Sequence, residues 1–173
     1  MYRKFIVWFV IFAATVIVGC KRPPPSSTVA NLGPTIAEIP SIMDGNTQVV
    51  QVTADDSMHF NGNRFTVKTG QSVRIELANK GTHPKAEMAH NFVIVKPDTD
   101  LLSFNLHSVQ SKNNNYIPAD LKDSIFAFTP GLVGPGETAV AEFTAPEPGE
   151  YPFLCNFPGH YAAGMHGTMT VVP

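Results

Sequence analysis

The feature that most constrains this fold is a segment near the end of the chain. There a cysteine, a histidine and a methionine follow one another at intervals of five residues, at Cys155, His160 and Met165. Side chains five residues apart point to opposite faces of a strand and lie about 17 Å apart along it. They meet only if the chain folds back between them. Phe157-Pro158-Gly159 suits such a turn, because proline fits its first position and glycine accepts a positive φ.

The sequences on both sides of this loop are typical of strands. Glu150–Leu154 lies before the loop, and Gly167–Val172 lies after it. The sequence therefore predicts a hairpin-like loop that carries three potential metal ligands. A second imidazole, followed by an amide, lies far upstream at His90-Asn91.

One thiolate, two imidazoles and one thioether are the ligand set of a mononuclear blue-copper site, in which a weak axial sulfur tunes the reduction potential. Zinc prefers cysteine, histidine and carboxylate, and a binuclear copper site needs two cysteines in the loop, which has only Cys155. Ordinary core packing is the alternative, but the spacing, the turn residues and His90-Asn91 argue against it. We therefore expect one copper ion that cycles between Cu(I) and Cu(II).

Several motifs resemble the azurin-type cupredoxins. Phe157–His160 resembles their ligand loop, Met88–Val93 resembles the segment with their first histidine ligand, and the similarity runs from about Thr47 to Pro173. Shorter matches are Met58–Asn61, Phe65–Val67 and Asp123–Ile125. The resemblance implies a membrane-side electron carrier, not an enzyme.

The chain also departs from the azurin pattern. Four residues separate His160 from Met165, where azurins have three, and this spacing is similar to that of auracyanin and rusticyanin. Ala89 stands where azurins have glycine, and the paired cysteines near the start of azurins are absent from this sequence. We expect these differences to change the axial geometry and the reduction potential rather than the fold.

The resemblance implies a role for each residue of the site. His90, Cys155 and His160 are expected to bind copper in a plane, with Met165 as the axial ligand and the backbone carbonyl of Ala89 on the opposite side. We expect His90 to be buried, and the ring edge of His160 to reach the surface and pass the electron.

Neighbouring residues are expected to support the ligands and to form a docking surface. Asn91 and Asn156 each follow a ligand, and the Asn91 side chain is expected to hold the ligand loop. Two charged or titratable residues, His83 and Glu87, replace apolar residues of azurin, so we expect docking to depend on salt and pH. The patch expected around His160 comprises Met58, His83, Glu87, Met88, Phe157 and Ala162.

The rest of the domain has the pattern of an all-β protein. Short apolar alternations are separated by glycine and proline, which predicts a two-sheet β-sandwich, of Greek-key type if the cupredoxin resemblance holds. Asp98-Thr99-Asp100 predicts the cap of a short helix over Leu101–Val109, within a helical flap near residues 98–121. Further predicted strands are Thr47–Ala54, Arg64–Lys68, Val73–Leu77, His90–Lys96, Ile125–Phe128 and Glu137–Thr144.

The start of the chain is typical of a secretory signal. Arg3-Lys4 precedes an apolar run, Phe5–Val18, and Ile17–Cys20 resembles a bacterial lipoprotein cleavage box. This resemblance implies that Met1–Gly19 is removed and that Cys20 carries lipid. An uncleaved membrane anchor is the alternative, although the apolar run is short for a span of about 20 residues.

We divide the chain into a signal peptide (1–19), a Pro/Ser-rich lipidated tether (20–44) and a copper domain (45–173). The tether contains the stiff, extended run Pro23-Pro24-Pro25. Removing the signal peptide takes away Arg3 and Lys4 and leaves a net charge of −4. A net charge of −4 argues against a nucleic-acid-binding protein, which typically has a strongly basic surface.

The sequence therefore favours an electron carrier that is lipid-anchored on the periplasmic or cell-surface side of a bacterial membrane. Its expected partners are redox proteins, either a cytochrome or an oxidase or reductase, which dock transiently. Two alternatives stay open: a copper-binding storage or delivery protein, and a metal-free sandwich that binds a partner. Copper-handling proteins usually expose clusters of Met or His, whereas the six methionines here are scattered.

Overall fold

A computed structural model of the chain describes residues 36–173. Within this range the chain forms nine strands, one α-helix and two 3-10 turns. The strands are β1 (Ser41–Asp44), β2 (Thr47–Ala54), β3 (Arg64–Lys68), β4 (Ser72–Asn79), β5 (Val93–Val95), β6 (Ile125–Phe128), β7 (Thr138–Thr144), β8 (Gly149–Leu154) and β9 (His166–Val172). The helix α1 is Leu101–Gln110, and the 3-10 turns are Lys112–Asn114 and Lys122–Ser124.

The strands form two sheets. One has the order β1-β2-β4-β7 and the other the order β3-β9-β8-β5-β6. The pairs β2–β4 and β3–β9 are parallel, and the other strand pairs are antiparallel. The predicted all-β, two-sheet sandwich with a short helical flap is confirmed.

The core lies between the inner faces of the two sheets. In β4 the buried residues Val73, Ile75 and Leu77 alternate with more exposed ones, as period-two patterning requires. Phe92 stacks on Phe153 with ring centroids 4.6 Å apart, which joins β8 to the segment before β5. Four residues of the predicted copper site or of the surface predicted around it belong to the same apolar cluster, namely Ala89, Cys155, Phe157 and Met165.

The helix α1 is capped and packed as its sequence suggests. The carboxylate of Asp100 accepts hydrogen bonds from the backbone N–H groups of Leu102 and Ser103. Phe104 is buried, and it packs in a second apolar cluster together with Leu154. The flap is thereby attached to the end of β8, the strand that leads into Cys155.

Two boundaries differ from the predictions by more than two residues. Residues 38–44 were predicted as tether, but Ile39 is buried and donates its backbone N–H to Arg64 at 2.7 Å, and Ser41–Asp44 pairs with β2. The strand predicted over His90–Lys96 is only Val93–Val95.

The proposed signal peptide, Cys20 and the tether as far as residue 35 lie outside the described residues. Within residues 36–173, no helix combines the length and the hydrophobicity that crossing a bilayer requires.

Candidate metal centre

The loop between β8 and β9 folds back on itself as its sequence predicts. Residues Leu154 and His166 face each other across the strand pair, so the loop of residues 155–165 starts and ends at the same place. The backbone N–H of Cys155 donates to the carbonyl of Met165 at 3.1 Å, and the N–H of Met165 donates to the carbonyl of His160 at 3.0 Å. Gly159, with φ +87°, supplies the positive φ that the turn needs.

The upstream histidine reaches the same place from the segment that leads into β5, the strand next to β8 in the same sheet. His90 forms an isolated β-bridge with Val133, with N–H···O distances of 3.1 Å and 2.8 Å. The donor atoms of His90, Cys155 and His160 all lie within 4.8 Å of one another. The Cys155 sulfur is 3.5 Å from Nδ1 of His160, and the two imidazole centroids are 4.9 Å apart.

The residues of this cluster fit a bound metal ion. Both ring nitrogens of His90 are buried without a hydrogen-bond partner, an arrangement that is costly unless a ligand satisfies them. Burial lowers the pKa of His90, and it lowers that of His160 to about 4. Both rings are therefore neutral at pH 7 and offer lone pairs. A thiolate with two imidazoles suits copper.

The sulfur of Cys155 lies in a dry site. Burial raises the pKa of the thiol to about 11. Hydrogen bonds from the backbone of Asn91 and of Phe157 offset part of this rise. Metal ligation requires the thiolate, so metal uptake at neutral pH must release the proton of Cys155. The backbone of Asn91 thus contacts the sulfur.

The two expected axial groups are buried next to the cluster. Met165 is 1% exposed, and its carbonyl accepts a hydrogen bond from the backbone N–H of Cys155. Ala89 is fully buried and directly precedes His90. Both residues belong to the apolar cluster that contains Cys155.

Asn91 and Asn156 join the two ligand-bearing segments. Oδ1 of Asn91 accepts a hydrogen bond from the backbone N–H of Asn156 at 2.8 Å. The residue after His90 is thereby attached to the residue after Cys155. The side chain of Asn156 donates to the carbonyl of Tyr116 at 3.0 Å.

The predicted surface around His160 needs correction. His160 is 1% exposed, so its ring edge does not reach the surface as expected, because the loop closes over it. Phe157 is only 7% exposed, and its ring packs 4.9 Å from that of His160. The other members of the predicted patch are accessible: Met58 and Met88 are half-buried, and His83, Glu87 and Ala162 are exposed.

Sequence reasoning missed Asp56, which organises the loop before His90. Its carboxylate lies 2.9 Å from Nδ1 of His83 and accepts hydrogen bonds from the backbone and the hydroxyl of Thr82 at 2.8 Å and 2.9 Å. These contacts hold the pKa of Asp56 well below its usual range, and the carboxylate raises the pKa of His83. No local pattern links residues so far apart in the sequence.

Asn79 was also missed, although the sequence carries a signal for it. It occupies the buried position that follows Val73, Ile75 and Leu77 in the alternation of β4. Its side chain donates to the carbonyls of Val133 and Met88 at 3.1 Å and 3.4 Å. It therefore connects the segment that precedes His90 with the segment that pairs with His90.

The remaining histidines lie outside the cluster. His59 and His107 are exposed, and each binds a nearby backbone carbonyl through Nδ1. His166 is exposed, and its ring packs 5.1 Å from that of Tyr161.

Comparison with known proteins identifies relatives of this chain. Residues 47–172 match the family of copper binding proteins described as the plastocyanin/azurin family. Auracyanin-B of Chloroflexus aurantiacus is 30% identical over 128 residues, which are 73% of this chain and 53% of that protein. Outer membrane protein H.8 of Neisseria meningitidis is 36% identical over 124 residues, 70% of this chain and 66% of that protein. The chain thus spans about half of the first relative and about two thirds of the second.

A solved structure has the same fold and a related sequence. The crystal structure of dithionite-reduced auracyanin from Roseiflexus castenholzii superposes with a TM-score of 0.65 at 35% identity, covering 75% of this chain and 98% of that one. Together with the donor set of the buried cluster, these matches establish copper as the cofactor. The chain belongs to the copper-binding plastocyanin/azurin family, the cupredoxins.

Proposed function

We propose that this protein is a membrane-tethered blue-copper electron carrier. In this proposal His90, Cys155 and His160 would hold one copper ion, with the thioether of Met165 and the carbonyl of Ala89 as further, weaker ligands. The observation that carries the proposal is the burial of two imidazole nitrogens and one thiol sulfur within 4.8 Å of one another. When bound, copper supplies one-electron chemistry between Cu(I) and Cu(II).

The protein contributes to this function by holding the ligands rigidly and by excluding water from them. His90 and Cys155 are fully buried and His160 is 1% exposed, so water is excluded from the donor atoms. Backbone hydrogen bonds fix Cys155 and His160 within the loop, and the Val133 bridge fixes His90. Ligands held in this way rearrange little when the charge of the site changes, which keeps the barrier to electron transfer low.

The accessible part of the predicted patch is the proposed docking surface. It consists of Met58, His83, Glu87, Met88 and Ala162. A modest apolar patch of this kind suits a transient partner, here a redox protein such as a cytochrome, an oxidase or a reductase. His83 and Glu87 make the docking dependent on charge. Replacing both by leucine should weaken the salt and pH dependence of electron transfer, and an unchanged dependence would remove this part of the proposal.

The proposed location is the periplasmic or cell-surface side of a bacterial membrane. The lipoprotein-like box at Ile17–Cys20 supports attachment through lipid on Cys20. The name of the Neisseria relative, an outer membrane protein, is consistent with such a location. In this proposal the proline-rich residues after Cys20 let the copper domain reach its partners while it stays attached.

Redox cycling in the presence of a Cu(I) chelator separates this function from copper storage or delivery. We expect the copper-loaded protein to be reduced and reoxidised repeatedly while it retains its copper, because its donor atoms are buried. A delivery protein would instead lose copper to the chelator on reduction. Cys155→Ser is the control: it should abolish the redox cycle, whereas a metal-free binding module would keep its function.

A further inference from the structure

The flap contains a turn with an uncommon backbone conformation. Asn115 and Tyr116, which follow the 3-10 turn Lys112–Asn114, have φ values of +52° and +60°. Asparagine adopts this left-handed region more readily than most residues, whereas a bulky residue such as tyrosine is an outlier there. Two such residues in succession store strain that surrounding contacts must offset. The contacts that do so lead to the candidate metal centre.

Successive carbonyls of this turn accept hydrogen bonds from the two amides next to the proposed ligands. Nδ2 of Asn91 donates to the carbonyl of Asn115 at 3.1 Å, and Nδ2 of Asn156 donates to the carbonyl of Tyr116 at 3.0 Å. In an extended chain, successive carbonyls point to opposite sides. The left-handed conformation is what lets two adjacent carbonyls serve neighbouring donors.

The ring of Tyr116 packs against Phe157, the neighbour of the third proposed ligand, His160. Tyr116 is 7% exposed and meets Phe157 edge-on, with ring centroids 5.4 Å apart. Phe157 in turn packs 4.9 Å from the ring of His160. One turn of the flap therefore contacts the neighbours of His90 and Cys155 through hydrogen bonds, and the neighbour of the His160 ring through an aromatic pair.

We propose that the Asn115–Tyr116 turn is a positioning element of the copper site. It orients the peptide groups that follow His90 and Cys155 and limits the movement of the His160 ring. The inference rests on the proposed function, because it assigns the turn a role in tuning the same site. It goes beyond a role in stability, since it predicts that loosening the turn changes the copper spectrum and the reduction potential.

The first test compares Asn115→Val with Asn115→Gly in the full chain. A β-branched residue strongly disfavours a positive φ, whereas glycine accepts it, so valine disturbs the turn and glycine keeps it. For the valine variant we expect an altered copper hyperfine splitting and a shifted reduction potential, and for glycine the wild-type values. The amide hydrogen of Asn156 should exchange about tenfold faster in the copper-free valine variant, because its bond to Asn91 loses support.

A second pair of variants tests the aromatic contact. This pair also provides a test if Asn115→Val fails to fold. Tyr116→Leu removes the ring that meets Phe157, and Tyr116→Phe keeps it. The leucine variant should shift the potential and the phenylalanine variant should not. Val73→Ala is the control for general destabilisation, because Val73 is fully buried at the beginning of β4, six residues before Asn79. It should lower stability and leave the potential unchanged.

The outcomes distinguish this inference from the function on which it rests. Wild-type spectra, potentials and Asn156 exchange in both disturbing variants would overturn the positioning role while the electron carrier stands. A shift of equal size in Val73→Ala would also overturn it. A wild-type protein without blue copper would contradict the proposed function, and exchange in the copper-free protein would still decide whether the turn positions the loop.

Discussion

The sulfur of Cys155 lies 3.5 Å from Nδ1 of His160, although four residues separate them in the sequence. The backbone produces this approach: His160 donates to the carbonyl of Phe157, and Met165 donates to the carbonyl of His160. The N–H of Cys155 then closes the loop on the carbonyl of Met165. The loop's own hydrogen bonds thus bring the two donor atoms together.

Replacing Met165 by leucine should leave copper bound and raise the reduction potential. Leucine has a similar volume, so the free energy of unfolding should change by less than about 1.5 kcal/mol. Loss of the thioether removes a donor that helps to stabilise the oxidised ion. We expect a rise on the order of 60 mV, a tenfold shift in a one-electron equilibrium. Voltammetry measures this, and loss of copper from the variant would contradict an axial role.

The ion pair of His83 and Asp56 should be visible in a pH titration. The pKa of His83 is raised, so its contribution to stability is present below pH 6.5 and is lost as the pH rises through the folded-state pKa. The pKa of Asp56 is lowered, so its contribution is present above pH 3.8 and is lost as the pH falls through the folded-state pKa. The pair is therefore strongest between about pH 4 and pH 6.5.

The variant Asp56→Asn checks this relationship. An amide oxygen still accepts from Thr82 but carries no charge, so the titration midpoint of His83 should fall toward 6.5. NMR of the His83 ring protons gives the midpoint in each protein. Glu87 also favours the charged form of His83, to a smaller extent. Equal midpoints in the wild type and the variant would show that Asp56 is not the partner.

Replacing Asn79 by leucine should destabilise the fold. The side chain is 1% exposed, and its amide serves the carbonyls of Val133 and Met88 as well as the N–H of Gly81. Leaving such groups unpaired costs about 1–3 kcal/mol. Urea unfolding measures this loss.

Asn113→Ala is the matched control for this stability test. Asn113 is exposed, and its replacement should change the free energy of unfolding by less than about 0.5 kcal/mol. Equal effects of the two substitutions would show that Asn79 does not fasten the segments around His90.

The proposed lipid on Cys20 can be tested by replacing each of the two cysteines of the chain in turn. In a bacterial host that expresses the precursor, labelled fatty acid should enter the wild-type protein and Cys155→Ser, but not Cys20→Ser. The reason is that the box Ile17–Cys20 places the modified sulfur at residue 20. An unlabelled wild-type protein that retains Met1–Gly19 would instead indicate an uncleaved anchor.

Strands with strong apolar alternation were predicted well. The bounds of β2, β3 and β6 agree with the prediction, because each run is bordered by turn residues. The strand β1 was missed because all four of its residues are exposed and its sequence therefore has no buried face. The strand predicted from His90 starts at Val93 instead, since His90 pairs only with Val133.

The candidate ligands were predictable because their residue types carry the chemistry. The surroundings of these ligands were less predictable from the sequence. Phe157 is buried against the flap residue Tyr116, a contact between distant segments, and its ring packs in turn on that of His160. The pairing of Asp56 with His83 is likewise a tertiary contact that no spacing in the sequence reveals.

The most direct test of the central claim is the optical and paramagnetic-resonance spectrum of the copper-loaded protein. Ligation by the Cys155 thiolate and by the imidazoles of His90 and His160 predicts an intense blue charge-transfer band and a narrow copper hyperfine splitting. Both features should disappear in Cys155→Ser. A weakly coloured protein with the wide splitting of copper bound by nitrogen and oxygen alone would contradict the account.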